Sequence, residues 1–403
     1  MKTQKISDSI YYVGVNDRRK SLFENQLPLP YGVAYNSYCI VDEKIALIDT
    51  VDACYFDVLL QKIEESSNGR KVDYLIINHM EPDHSGSIRL IKQHFPDIQI
   101  IGNAKTFDML KGYYGVVDNL IEVKDGAELV LGKTTLQFFL TPMVHWPETM
   151  MTYHRQEKVL FSGDAFGCFG ALDGGVIDET INTERYWPEM RRYYANIVGK
   201  YGIPVQNALA KLKDLEINML CSTHGPVWTT ERTKVIDFYD KYSRYEPLVR
   251  GAVVAYGSMY GNTEQMAEAI AKGISAGGVK DIILHDVSKT DLSFIIADVF
   301  KYSALVVGSP TYMNELFPQV AMLLHKIEVR AVKNRIFAAF GSCTWAGVSL
   351  KTMLPWAEKL HWNIVGSVEE KQALKAEKYE ECYTLGLKIA EEIKTSSQPP
   401  KEA

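Results

Sequence analysis

The segment Asn78-His79-Met80-Glu81-Pro82-Asp83-His84 sets two imidazoles and two carboxylates directly behind the strand-like run Asp73-Tyr74-Leu75-Ile76-Ile77. An apolar strand ending in such a cluster delivers metal ligands to the edge of a sheet. It therefore commits the chain to a fold whose other strand ends meet it there. Imidazole accepts zinc, copper or iron, whereas hard carboxylates favour metals such as iron and manganese.

Three further residues fit the same pattern. His145 comes after the run ending Leu140-Thr141-Pro142, Asp164 closes Ser162-Gly163-Asp164, and His224 closes Ser222-Thr223-His224. Each lies just past an apolar β-like run and beside glycine or proline. Taken singly, a histidine behind a strand is an ordinary loop residue, and Gly-Asp is ordinary turn chemistry. The ordered series His-x-Glu-x-Asp-His, then His, Asp and His, is far more specific. His94, His154, His285, His325 and His361 have no such setting and are assigned to surface or core.

A second constellation follows the strand-like run Ala252 to Tyr256. Ser258-Met259-Tyr260-Gly261-Asn262-Thr263 combines hydroxyls, an amide and small residues ahead of a helical pattern, which suits a phosphate at a helix N-terminus. It lacks the Lys of a Walker loop and the Gly-x-Gly-x-x-Gly of a dinucleotide fingerprint. Two more strand-like runs end in small-residue loops that carry one aromatic each. These are Pro310-Thr311-Tyr312-Met313-Asn314 and Ser342-Cys343-Thr344-Trp345-Ala346-Gly347, a grip suited to a flat ring.

The first 250 residues or so show short β-like runs with helical patterns between them, which suits two sheets with helices outside. The boundary is placed at Leu248 to Gly251. Beyond it strands and helices alternate from 252 to 360, predicting a parallel doubly wound sheet. The tail Thr395 to Ala403 is polar, contains proline and is expected to be disordered. A net charge of −6 without basic blocks argues against nucleic acid. No run reaches the roughly 18 apolar residues of a membrane span, and no apolar signal core follows the N-terminus, so a cytoplasmic protein is expected. The six cysteines form no Cys-x-x-Cys pair, which speaks against a rubredoxin module and suits a reducing compartment.

The metal pattern resembles that of the metallo-β-lactamase superfamily, with Glu81 where its hydrolases carry a second histidine. That departure is the mark of the flavodiiron proteins, and Tyr35-Asn36-Ser37-Tyr38, Asp49-Thr50-Val51 and His145-Trp146-Pro147-Glu148 extend the resemblance. The triplet of C-terminal loops resembles flavodoxin. The resemblance implies an α/β chain with a metallo-β-lactamase-like αβ/βα sandwich over 1–249 and a flavodoxin-like doubly wound parallel sheet over 250–403. It implies two irons per chain: His79, Glu81 and His145 on one, Asp83 and His224 on the other, Asp164 between them, and His84 beside the centre. FMN is expected, with its phosphate on 258–263 and its ring between 310–314 and 342–347, near Tyr312 and Trp345. The implied activity is reduction of O2 to water, of NO to N2O, or both. Electrons are expected from rubredoxin or a similar small carrier, within a head-to-tail homodimer or a dimer of dimers. Two other readings stay open at this level: a zinc-dependent hydrolase with an accessory flavodoxin module, and an electron carrier with a vestigial metal site.

Overall fold

The structure, a computed structural model, describes residues 3–396; the tail beyond Ser396 lies outside them. The chain divides into two compact units. The first takes the residues up to Tyr194 together with Ile203–Asp240, and the second takes Ala195–Gly202 and everything from Lys241 on.

In the first unit a seven-stranded sheet runs Gln4–Lys5 (β1), Ile10–Tyr12 (β2), Tyr38–Val41 (β3), Ile45–Ile48 (β4), Tyr74–Ile76 (β5), Gln99–Gly102 (β6) and Leu120–Glu122 (β7), neighbours in that order. β1 to β4 pair antiparallel, and β4 to β7 pair parallel. A five-stranded sheet follows: Glu128–Val130 (β8), Thr135–Leu140 (β9), Met150–His154 (β10), Val159–Gly163 (β11) and Met219–Ser222 (β12). Its last pair, β11 with β12, is parallel. The sheets meet face to face. Tyr38 of β3 lies with its ring 5.2 Å from that of Phe161 in β11, and its hydroxyl donates to the Ser222 carbonyl of β12 at 2.7 Å. β4, β5, β11 and β12 are buried along their whole length, as strands covered on both faces must be.

In the second unit Val249–Tyr256 (β13), Ile282–Asp286 (β14), Tyr302–Tyr312 (β15), Ile336–Cys343 (β16) and Asn363–Lys371 (β17) form a parallel sheet in the order β14-β13-β15-β16-β17. Strand order reverses between β13 and β15, the place where such sheets open a ligand crevice. The core combines Val254, Val306 and Ala338 of the sheet with Met266 and Ile270 of helix Asn262–Ala276 and Ile389 of helix Ala376–Thr395. Those two helices cross backbone to backbone: a Cβ on Gly273 would lie 2.1 Å from the Tyr383 carbonyl, and one on Gly386 would lie 2.2 Å from that of Ile270.

Strands β15 and β16 extend further than the sequence pattern predicts. β15 runs through Pro310 and Thr311 because Thr311 and Tyr312 pair with Leu316 and Glu315 across a tight turn. Met313 and Asn314 supply the left-handed backbone of that turn, at φ 50° and 61°. β17 and the final helix lie outside the series read from the sequence, which stops at 360.

Candidate functional site: a metal cluster and a phosphate-loop cleft

Each ligand candidate stands where a strand gives out. His79 leaves β5, and the buried carboxylate of Asp49, at the end of β4, accepts the backbone N–H of Asn78 at 2.8 Å and of His79 at 3.3 Å. Asp164 follows Gly163, whose φ of +58° turns the chain out of β11. His224 follows β12, and His145 lies in the loop between β9 and β10.

Two groups form. His79, Glu81, His145 and Asp164 bring one donor atom each to within 4.8 Å of one another, and so do Asp83, His84 and His224. Asp164 joins them. Its Oδ2 lies 3.1 Å from His145 Nε2 and 3.5 Å from His79 Nε2, while its Oδ1 lies 3.1 Å from His84 Nε2 and 4.0 Å from His224 Nε2. Glu81 Oε2 lies 3.1 Å from His145 Nε2, and Asp83 Oδ2 lies 3.3 Å from both His84 Nε2 and His224 Nε2. All six residues expected as ligands thus converge, and His84, expected beside the centre, turns its Nε2 into the second group.

Two of the outward imidazole nitrogens are committed elsewhere. His79 Nδ1 donates to Glu148 Oε1 at 2.8 Å, and His224 Nδ1 donates to the Ala34 carbonyl at 2.8 Å. Both rings therefore turn Nε2 to the centre, where loss of its proton leaves the lone pair a metal ligand needs. Thr223 Oγ1 donates to Asp164 Oδ1 at 2.6 Å. Both carboxylate oxygens of Asp83 are buried without a hydrogen-bond partner in the protein. A buried carboxylate without a hydrogen bond is costly, and a cation bound there would satisfy it.

Electrostatics agree. Burial opposes charge on His79, yet Asp164, Glu148 and Glu81 hold its pKa well above the ordinary value. Burial likewise opposes charge on His84 and His145. Asp83 and Asp164 outweigh it at the first, Asp164 and Glu81 at the second, and both rise to about 9. Burial would raise Asp164, but His79, His84 and His145 carry it well below the usual carboxylate range. In the metal-free protein protons thus hold the place of metal charge, and metal binding must expel them. A histidine pKa raised on folding contributes stability that is complete below roughly pH 6.5 and lost as pH climbs through the folded value. The metal-free protein is expected to lose several degrees of thermal stability between neutral pH and about pH 10, while the metal-loaded protein stays nearly flat. Parallel melting curves of the two forms check this.

In the second unit Ser258, Met259, Tyr260, Asn262, Thr263, Pro310, Thr311, Ser342, Cys343 and Thr344 line one cleft. It opens at the ends of β13, β15 and β16. Thr263 and Ser342 tie two of its walls through a 2.9 Å hydroxyl contact. Gly261, at φ +92°, caps the helix that follows. The lining does not include Gly261, Tyr312, Met313, Asn314, Trp345, Ala346 or Gly347, and Met313 and Trp345 stand 83% and 79% exposed. A hydroxyl-rich loop opening a helix, in a crevice at the strand switch point, fits a phosphate-anchored planar cofactor.

Sequence reasoning gave no role to Glu148, Asp49, Thr223 or Gln372. The first two stood only inside motifs matched to the family. Gln372 joins the cleft through its N–H to the Cys343 carbonyl at 2.7 Å, and no local pattern announces it.

Comparison with known proteins bears on both sites. The model of the ODP family of β-lactamase domains matches residues 33–225, and that of flavodoxin matches 254–386. A nitric oxide reductase of Moorella thermoacetica is 33% identical, over 96% of this chain and 98% of that one. Among solved structures, the rubredoxin oxygen:oxidoreductase of Desulfovibrio gigas superposes with a TM-score of 0.93 at 31% identity, covering 98% of this chain and 99% of that one. The flavodiiron protein of Giardia intestinalis also gives 0.93, at 26% identity, covering 98% and 97%. With both domain models matched in order and relatives of this identity covered end to end, the chain belongs to the flavodiiron protein family.

Proposed function

We propose that this protein is an oxidoreductase that carries electrons from an external donor through FMN to a di-iron site, where O2 is reduced to water, NO to N2O, or both. The observation that carries the reading is Asp164, whose two carboxylate oxygens each face a different group of ligands. His79, Glu81 and His145 would hold one iron, Asp83 and His224 the other, with Asp164 between. Glu81 adds an anionic oxygen where a neutral imidazole would suit zinc, so the donor set favours ferric iron. This, with a complete flavodoxin-like unit in the same chain, disfavours the zinc hydrolase. Bound in these places, the irons and FMN supply the redox chemistry; the chain binds, orients and shields the reactants. The phosphate of FMN would rest on 258–263, with its ring between 310–314 and 342–347.

Tyr260, Met313 and Trp345, at 93%, 83% and 79% exposure, leave apolar surface around the cleft. This supports a head-to-tail homodimer, alone or paired into a tetramer, in which a second copy covers that surface. An active monomer in analytical ultracentrifugation rejects it. Rubredoxin or a similar small carrier is the proposed donor. Six unpaired cysteines support a reducing, cytoplasmic setting, and no helix among the described residues is long and apolar enough to cross a membrane.

The deciding experiment assays iron and FMN in the purified protein, reduces it without oxygen, and follows NO and O2 consumption separately. Two zinc per chain with hydrolytic turnover would reverse the reading. Glu148→Gln, which exchanges the carboxylate holding His79 Nδ1 for an amide, is expected to weaken metal affinity about 10- to 100-fold. Competition with a chelator measures it.

A further inference from the structure

The segment from His79 to Ser85 carries members of both ligand groups, so whatever holds it helps to set their spacing. Its middle is held by one hydroxyl. Ser85, fully buried, donates from Oγ to the Met80 carbonyl at 2.7 Å. Met80 stands between His79 and Glu81 of the first group, and Ser85 closes the short helix Pro82–Ser85 that carries Asp83 and His84 of the second. The bond therefore ties one group to the other within a few residues. Among the described residues no backbone N–H reaches the buried Met80 carbonyl, so loss of the hydroxyl would leave it unsatisfied.

A second hydroxyl fixes the first. Tyr114 Oη lies 2.7 Å from Ser85 Oγ. A serine hydroxyl has one proton to give, and that of Ser85 goes to Met80, so Tyr114 donates and Ser85 accepts. Tyr114 is the last residue of the helix Ala104–Tyr114, and Asn103 caps its start. Asn103 Oδ1 takes the N–H groups of Lys105 and Thr106, which leaves its Nδ2 to donate to the Glu148 carbonyl at 2.6 Å. Glu148 in turn accepts from the Met80 N–H at 2.9 Å and from His79 Nδ1. One helix of 11 residues, about 16 Å long, thus reaches the ligand segment from both its ends.

We propose that the helix Ala104–Tyr114 is a brace for the metal centre, with Ser85 and Tyr114 as positioning residues that hold the two ligand groups at one spacing. This rests on the two-metal reading above. The test titrates cobalt(II), a coloured divalent ion, into the metal-free full chain. Beside it stands the EPR spectrum of the half-reduced, iron-loaded protein, which depends on how two ions are spaced. Ser85→Ala is expected to weaken cobalt binding about 10- to 100-fold and to shift the spectrum. Tyr114→Phe should show a smaller change in the same direction. The double variant should bind cobalt no more weakly than Ser85→Ala, because Tyr114 acts through Ser85. Ser66→Ala, which removes a buried hydroxyl from the helix Phe56–Ser67, should leave both readings unchanged. Wild-type cobalt affinity and an unchanged spectrum in folded Ser85→Ala and Tyr114→Phe overturn the inference alone, as do equal losses in Ser66→Ala. Additive losses in the double variant overturn the path from Tyr114 through Ser85. A wild-type chain that binds fewer than two cobalt ions overturns the two-metal reading and the inference with it.

Discussion

Asp164→Ala is expected to leave a protein with less than about half its iron and NO or O2 consumption at least ~1,000-fold lower, with FMN bound and still reducible. Asp164 is 1% exposed, and its two oxygens are the atoms shared between the ligand groups. Without them His79, His84 and His145 face one another with less negative charge between them, and breaking a buried set of charges in this way costs about 3–5 kcal/mol. The FMN cleft is built wholly from the second unit and should be indifferent. Metal analysis and flavin absorbance on the same sample separate the effects. A variant that kept both irons and its turnover would show that Asp164 is a buried structural carboxylate and that the joining geometry has no catalytic meaning. Thr223→Val, which removes only the 2.6 Å hydrogen bond on Asp164 Oδ1, should show a milder loss in the same direction.

The candidate ligands were legible because a β-strand brings its end to the sheet edge, so a residue's place just past an apolar run already fixes where it will stand. His79, Asp164 and His224 all obey that rule. His84 sits one residue from Asp83, and its distance from Asp164 depends on the short helix Pro82–Ser85, which no periodicity reveals. Glu148 lies 69 residues from the histidine it holds, and Asp49 lies 29 from the peptide it receives. Their roles arise only when two strands and a loop are assembled. In the second unit the alternation of strands and helices displayed the doubly wound sheet. The final helix escaped because its buried stripe of Cys382, Leu385, Ile389 and Ile393 is diluted by many charged residues between. The hairpin at Met313 and Asn314 escaped because neither residue is glycine, the usual signal for a left-handed turn.

The same local legibility makes the phosphate loop the second place where one change should have a large effect. Ser258 Oγ accepts the backbone N–H of Gly261 at 3.1 Å and of Glu264 at 3.4 Å, so it already sits among the donors at the mouth of helix Asn262–Ala276. Ser258→Asp would keep that capping, since a carboxylate is a favoured partner for such N–H groups. It would also fix a negative charge where the proposed site places the FMN phosphate, and like charges in contact repel. The fold should therefore survive while FMN affinity falls at least ~1,000-fold, about 4 kcal/mol. Purified Ser258→Asp is expected to be colourless at flavin wavelengths, to hold iron like the unmodified protein, and to consume neither NO nor O2 with the physiological class of donor. Ser258→Ala, which removes the hydroxyl without adding charge, should lose far less. If Ser258→Asp bound FMN normally, the phosphate would lie elsewhere in the cleft. If it lost FMN yet still turned over at the unmodified rate, electrons would reach the metal cluster without passing through the second unit.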